Sequence, residues 1–103
     1  MSQSTSKTTG VSINYLTGKI TMNAASLNDA TNAKFTVSNT TAKNPGNVIV
    51  NHVSGGTSGA YQVTACNLVD GVSFDIVLRN VSGGTLAESP VIQFTIIGAS
   101  TTP

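Results

Sequence analysis

The chain has 103 residues and a net charge of +1, which fits a single domain. Charged residues make up 9% of it, against about 25% in a typical soluble domain, whereas 12 serines, 15 threonines and 10 asparagines predict a surface of short neutral polar side chains. This composition excludes the basic patch on which a dedicated nucleic-acid-binding protein depends, and an apolar content of 39% argues against a disordered chain.

The first third of the chain predicts an arm and two short strands. Residues 1–10 are rich in serine and threonine and lack periodicity, which indicates a flexible N-terminal arm, either frayed or ordered only against a partner. Alternating residues then predict one strand from Val11 and another that carries Ile20 and Met22 on its apolar face, with a turn at residues 16–18. Residues 23–33 are predicted to be an irregular connection, because their run of helix-forming residues is too short.

The most distinctive stretch is residues 48–57, which carry the sequence VIVNHVSGGT. The pattern returns 28 positions later in residues 76–85, IVLRNVSGGT. Valine and isoleucine favour a pleated strand, and paired glycines supply positive φ for a tight reversal. We therefore predict two long strands that end in similar turns.

Three further strands complete the predicted domain. Phe35 and Val37 define one strand before a polar loop at residues 39–46, residues 60–68 form another, and the last strand ends at Gly98. The dipeptide Asp70-Gly71 predicts a two-residue type I′ hairpin. Seven alternating strands predict an all-β fold over residues 11–98, a two-layer antiparallel β-sandwich of immunoglobulin-like or jelly-roll-like type. A closed small barrel is the alternative, and residues 99–103 are predicted to be a polar C-terminal tail.

The residues that carry chemistry do not form a convincing catalytic set. Asp75 is expected to form a surface ion pair with Arg79, four residues further on. His52 is predicted to be a hydrogen-bonded structural residue, because no serine or cysteine motif accompanies it. The single cysteine, Cys66, excludes an internal disulfide and is predicted to be a small buried thiol. We predict no enzyme activity, no metal site and no cofactor.

The outer faces of the two long strands carry apolar residues, namely Ile49, Val77 and Val81. Scattered apolar surface residues are ordinary, but here few charges are available to protect the sheet edges. We therefore expect another protein subunit to cover part of this surface, either in a homo-oligomer or on a larger assembly.

Four runs of residues resemble small structural proteins of tailed bacteriophages. They are TSKTTGV at 5–11, GKITMNAASL at 18–27, NHVSGGT at 51–57 followed by Tyr61, and RNVSGGTLAE at 79–88. The resemblance spans roughly residues 5–97. Related domains are capsid cement or decoration proteins, and similar sequences form the terminal part of tail-fibre-like proteins. The resemblance implies a β-sandwich, a symmetric oligomer on the outside of a capsid, and no catalysis.

The functional expectation is therefore a phage capsid decoration protein, with a tail-fibre or receptor-binding tip module as the alternative. Expected partners are the major capsid protein and further copies of the chain, a trimer rather than a dimer by analogy with the local three-fold sites of viral shells. No nucleic acid or membrane partner is expected. No signal sequence or membrane span is visible, so we expect synthesis in the host cytoplasm and a final place on the virion surface. The candidate contact residues are Ser4, Thr5, Ser6, Lys7, Thr8, Thr9, Ile49, Val77, Gly83, Gly84, Leu86 and Glu88.

Overall fold

The computed structural model describes residues 1–43 and 46–98, and this part of the chain contains seven strands and no helix. A four-stranded sheet has the order β1-β3-β6-β5, and a three-stranded sheet has the order β2-β7-β4. The predicted all-β sandwich of about seven strands is confirmed. The strands are β1 (Val11–Ser12), β2 (Thr17–Thr21), β3 (Asn32–Ser38), β4 (Gly46–Ser54), β5 (Tyr61–Val69), β6 (Ser73–Asn80) and β7 (Val91–Gly98).

The core lies between the sheets because the long strands turn every second side chain inward. In β3 and β6 buried residues alternate with more exposed ones along the whole strand, as expected for a half-wet sheet. Phe74 and Phe94 come from opposite sheets, and their rings meet edge to face with centroids 5.1 Å apart. The other buried apolar residues of the strands are Val11, Ile20, Ala33, Phe35, Val37, Tyr61, Ile76, Leu78, Ile92 and Ile96.

The strand order favours the immunoglobulin-like arrangement over the jelly roll. If β2 is set aside, the four-stranded sheet takes the first, second, fifth and fourth strands of the chain, which is the ABED order. The strands β4 and β7 then correspond to C and F, and β2 lies where strand G would be. On one side of the sandwich β4 packs against β5, whereas on the other side a groove separates β1 from β2.

One strand pair runs against the prediction of purely antiparallel sheets. In the structure β1 pairs in parallel with β3, Val11 opposite Val37. The predicted turn at residues 16–18 is also wrong, because β2 already begins at Thr17. The physical reason is shared: β1 and β2 belong to different sheets, so the chain crosses between the layers instead of reversing into a hairpin.

The hairpin between β5 and β6 forms, but not as the predicted type I′ turn. A type I′ turn needs positive φ at both central residues, and here only Gly71 has it, at φ +68°. The N–H of Val72 donates to the carbonyl of Val69. The pairing shifts register between Cys66 and Val69, with Asn67 at φ +55°. Because of the extra residue in this bulge, Val69 pairs with Ser73, and the loop between the paired residues has three residues instead of the predicted two.

Residues 1–10 pack on the domain in the structure. Ser2 forms a parallel bridge with Thr21 at the edge of β2. The side chain of Gln3 is 5% exposed, and its Nε2 donates to the carbonyls of Lys7 (2.7 Å) and Thr9 (3.2 Å) while its Oε1 accepts from the N–H of Asn23 (3.0 Å). One carboxamide thus folds the segment on itself and fastens it to the sandwich, whereas the sequence predicted a free arm.

Gly18 lies close against the core and is expected to resist substitution. A Cβ at this position would lie 2.9 Å from Cε1 of Phe94 and 3.1 Å from Cγ2 of Ile13. We expect Gly18→Ala to lower the free energy of unfolding by about 1 kcal/mol, because the overpacking outweighs the usual gain of replacing a strand glycine. Chemical denaturation measures this. Gly84→Ala is the control, since nothing lies within 4 Å of its Cβ position. Equal stability of the two variants would contradict the packing argument.

Candidate functional site

Lys7 and Glu88 are far apart in sequence but meet at the end of the sandwich where β7 begins. The side chain of Lys7 is only 4% exposed. Its ammonium group donates to the carbonyls of Glu88 (2.7 Å), Ala25 (2.8 Å) and Asn23. Burial lowers the pKa of Lys7, and the negative charge of Glu88 opposes this effect. Lys7 was predicted to contact a capsid, but in this structure it is an internal support.

The carboxylate of Glu88 joins two loops at the same end. It accepts hydrogen bonds from the hydroxyl of Tyr61 (2.7 Å) and from both the hydroxyl (2.8 Å) and the N–H (3.0 Å) of Thr57. These bonds, that from Tyr61 first, lower the pKa of Glu88. Burial, helped by the bond to Glu88, raises the pKa of Tyr61. The carboxylate therefore fixes the loop after β4 against the loop before β7.

His52 supports the same corner of the fold. Its ring meets Tyr61 edge to face with centroids 5.5 Å apart, and its Nε2 is hydrogen-bonded to the carbonyl of Gly55. The predicted hydrogen bond of His52 is therefore present, and it holds the chain in place just after the end of β4. In residues 1–43 and 46–98 no three His, Cys, Asp or Glu side chains are grouped so that they would hold a metal ion.

The acid side of the stability profile is expected to depend on two carboxylates. Hydrogen bonds from Asn67 and Thr36 lower the pKa of Asp75 from its usual 3.8, as the bonds described above lower that of Glu88 from 4.5. The unfolded chain therefore binds protons more readily than the folded one on acidification. The stabilisation is complete above the usual pKa values and is lost as the pH falls through the lower folded values.

Urea denaturation between about pH 6 and pH 2 measures this loss. We expect Glu88→Gln and Asp75→Asn each to flatten part of the curve and the double variant to flatten most of it. A double variant with the unchanged wild-type slope would assign the acid sensitivity to other groups.

The backbone of the loop after β6 is held by hydrogen bonds to Asp29 and Leu27. The N–H of Gly83 donates to Oδ1 of Asp29 (2.8 Å), and Leu86 exchanges two backbone hydrogen bonds with Leu27. Leu86 is half-buried and packs against the core, whereas Gly83 and Gly84 are exposed. Of these predicted contact residues, the two glycines are on the surface and Leu86 anchors the loop.

The predicted contact residues of the N-terminal segment are likewise partly exposed and partly half-buried. Ser4, Thr5 and Thr8 are exposed, whereas Ser6 and Thr9 are half-buried. The hydroxyl of Ser6 is hydrogen-bonded to those of Thr8 (2.9 Å) and Thr9 (3.2 Å). The exposed hydroxyls therefore lie on a segment that is already folded.

Ile49 and Val77 lie on opposite sides of the sandwich and do not form one surface. Val77 is in the four-stranded sheet, between Lys34 and Thr64, and is half-buried. Ile49 is in the three-stranded sheet and is 44% exposed. A single flat partner therefore contacts one of them and not the other.

The outside of the four-stranded sheet is the charged face, defined by Lys34, Asp75 and Arg79. The predicted ion pair of Asp75 with Arg79 is wrong: Asp75 accepts from Thr36 (2.7 Å) and Asn67 (2.8 Å), and Arg79 donates to Asn32 (3.1 Å). Four residues along a strand span about 13 Å, too far for a direct pair. Cys66, predicted to be buried, is exposed on this side, because its strand parity is that of Asp75, its cross-strand neighbour.

The outside of β4 and β7 is an uncharged face, bordered by the exposed Lys19 of β2, which is paired with Gln93. Its apolar members are Ile49, Val53 and Ile97, of which Ile97 is 49% exposed. Asn47, Asn51, Gln93 and Thr95 fill the positions between them. The exposure of Ile97 was not predicted from the sequence, although the pair Ile96-Ile97 in a strand must turn one isoleucine outward.

Comparisons with protein-family models, curated proteins and solved structures gave no match. No helix in the described ranges has the length and apolar character to cross a bilayer.

Proposed function

We propose that the protein is a non-enzymatic structural protein of a tailed bacteriophage that binds the outside of the assembled capsid and stabilises it. Support comes from the resemblance of the sequence to decoration proteins and from one structural observation, the contrast between the two outer faces. The uncharged face carries three exposed aliphatic residues and no charge along β4 and β7. Interfaces between proteins are depleted of charge at their centre.

The uncharged face is the proposed docking surface, and Ile49 and Ile97 are its central residues. Asn47 is paired with Ile97 and Thr95 with Ile49, so an amide and a hydroxyl lie beside the aliphatic groups. Such neighbours supply hydrogen bonds without the desolvation penalty of an ion. The charged face then remains in solvent.

The mechanism of stabilisation is physical. Packaged DNA pushes the capsid subunits apart, and a protein that bridges several subunits adds contacts that must break before they separate. A ligand that binds only the assembled shell stabilises that shell by mass action. We propose that the protein acts as a homo-oligomer, with a trimer favoured over a dimer, because several linked contacts raise the effective affinity of a small surface.

Shell binding tests the proposal. Expanded shells of the phage that carries this protein are mixed with purified protein, and co-sedimentation gives the affinity. We expect Ile49→Asp to weaken binding by about tenfold or more, since it places an unpaired charge in the contact. Thr64→Asp on the outside of β5 is the control and is expected to bind like wild type. Binding is expected to depend little on salt, because no charge pair drives it.

Electron microscopy of particles made with and without the protein separates the two candidate locations. Density distributed over the shell supports the proposal. Density at the tip of the tail contradicts it and favours the receptor-binding module. An Ile49→Asp variant that binds shells like wild type contradicts the assignment of the uncharged face as the docking surface.

A further inference from the structure

The edge strand β2 exposes backbone groups that no strand in the described part of the chain covers. Thr21 turns its backbone away from β7: its N–H donates to the carbonyl of Met1 (2.8 Å) and its carbonyl accepts from the N–H of Gln3 (3.0 Å). Backbone direction alternates along a strand, so the N–H groups of Thr17 and Lys19 also face outward. In residues 1–43 and 46–98 no backbone group is paired with these two N–H groups.

A groove lies along this free edge, where the sandwich is open between β1 and β2. Its volume is about 550 Å³, within the range of about 300–1,000 Å³ that is usual for ligand sites. The walls are formed by Met1, Ser12, Ile13, Asn14, Tyr15, Thr17, Gly18 and Lys19. Tyr15 is 72% exposed, and Gly18 packs closely against Ile13 and Phe94 at the base of the groove.

We propose that this edge binds an extended peptide segment of another protein, which adds to β2 as a further strand and presents alternating apolar and acidic side chains. Unpaired edge groups are templates for strand addition. Side chains of an added strand would alternate between the groove and the outer surface. Those in the groove meet Ile13 and Tyr15, which accounts for the apolar positions.

The acidic positions follow from Lys19, the only charged side chain among the described residues that line the groove. Lys19 is exposed and belongs to the outward set of β2. Opposite charges directly across two strands are stabilising, and like charges are destabilising. The peptide residue opposite Lys19 is therefore expected to be aspartate or glutamate.

The chain itself shows that the edge accepts a strand. Its residues 1–3 already pair with Thr21 through a parallel bridge at Ser2. This contact extends back to Lys19, whose carbonyl accepts a hydrogen bond from the amino group of Met1 (3.4 Å), so an added segment is left with the outward N–H groups of Thr17 and Lys19. The site consequently takes a short segment, and the proposal does not depend on capsid binding.

Two synthetic peptides test the proposal on the full chain, acetyl-VEVEV-amide and acetyl-VKVKV-amide. Amide chemical shifts from nuclear magnetic resonance report both affinity and location. We expect the acidic peptide to bind about fivefold more tightly than the basic one, with shifts centred on Thr17, Gly18 and Lys19. Lys19→Glu is expected to reverse the preference. Lys34→Glu, an exposed lysine on the charged face, is expected to leave it unchanged.

A backbone variant separates strand addition from simple charge attraction through the basic peptide, because Lys19→Pro removes the ammonium group together with the N–H, and loss of that charge alone would not weaken binding of the basic peptide. Lys19→Pro removes an N–H that faces away from β7, so the ladder to β7 is kept, and it is expected to abolish binding of both peptides. If this variant does not fold, the reversal by Lys19→Glu remains the test. Equal binding of the two peptides, or shifts centred elsewhere, would overturn the proposal. So would peptide-free, concentration-dependent shifts at Thr17–Lys19, which would assign the edge to a second copy of the chain.

Discussion

Replacing Asn80 with alanine is expected to lower the free energy of unfolding by about 3 kcal/mol. The side chain is fully buried. Its Nδ2 donates to the carbonyls of Leu27 and Gly84, both at 2.8 Å, and its Oδ1 accepts from the N–H of Ser82 at 2.9 Å. Each buried polar group left without a partner costs about 1–3 kcal/mol, and relaxation of the loop keeps the total below the sum.

Chemical denaturation of three variants tests this role of Asn80. Asn80→Asp is expected to be at least as destabilising as the alanine variant, because it turns an oxygen toward two carbonyl oxygens. Asn51→Ala, at an exposed position of β4, is the control and should change stability by less than about 0.5 kcal/mol. A loss below about 1 kcal/mol in Asn80→Ala would show that the loops after β6 and before β3 are held by other contacts.

The second large effect is expected from Lys7→Met, which keeps the aliphatic stem and removes the ammonium group. We expect a loss of about 2 kcal/mol, since hydrogen bonds from a charged donor are worth about 1.5–3 kcal/mol each and the recovered desolvation of the charge offsets part of that loss. The freed carbonyls of Asn23, Ala25 and Glu88 lie near the surface, where water replaces some of the bonds.

Hydrogen exchange distinguishes a local effect of Lys7→Met from a general one. In Lys7→Met, the increase in amide exchange relative to wild type is expected to be larger in residues 1–9 than in β3 and β6, because Lys7 fastens this segment to the rest of the domain. Lys43→Met is the control, since Lys43 is exposed. Wild-type stability together with wild-type exchange in residues 1–9 would rule out the supporting role.

The strands were predictable because burial alone dictates their alternation. Phe35 and Val37 in β3, or Ile92 and Phe94 in β7, have to face the same side of a strand, and both pairs do. The same reasoning failed for β1, since periodicity does not say in which sheet a strand lies. Two short strands close in sequence predict a hairpin, yet here they belong to different layers.

Polar residues at the ends of the sandwich were the least predictable part of the candidate site. Gln3, Lys7 and Asn39 are buried, although their residue types are usually exposed. Each is satisfied by loop backbone: Asn39, for example, donates to the carbonyl of Tyr15 and accepts from the N–H of Thr41. Such partners are set by the meeting of distant loops, which no local pattern encodes. By contrast, the exposure of Ile49 followed directly from its place between two inward valines.

The exposed thiol of Cys66 has a practical consequence for measuring assembly. Air oxidation can join two copies covalently through this single position, and the resulting dimer would resemble a specific one in a sizing column. A reducing agent cleaves the disulfide of such a dimer and leaves a non-covalent oligomer intact. Molar mass is therefore best determined both with and without the reducing agent. The same thiol offers one attachment point for a fluorophore on the side of the domain opposite to Ile49.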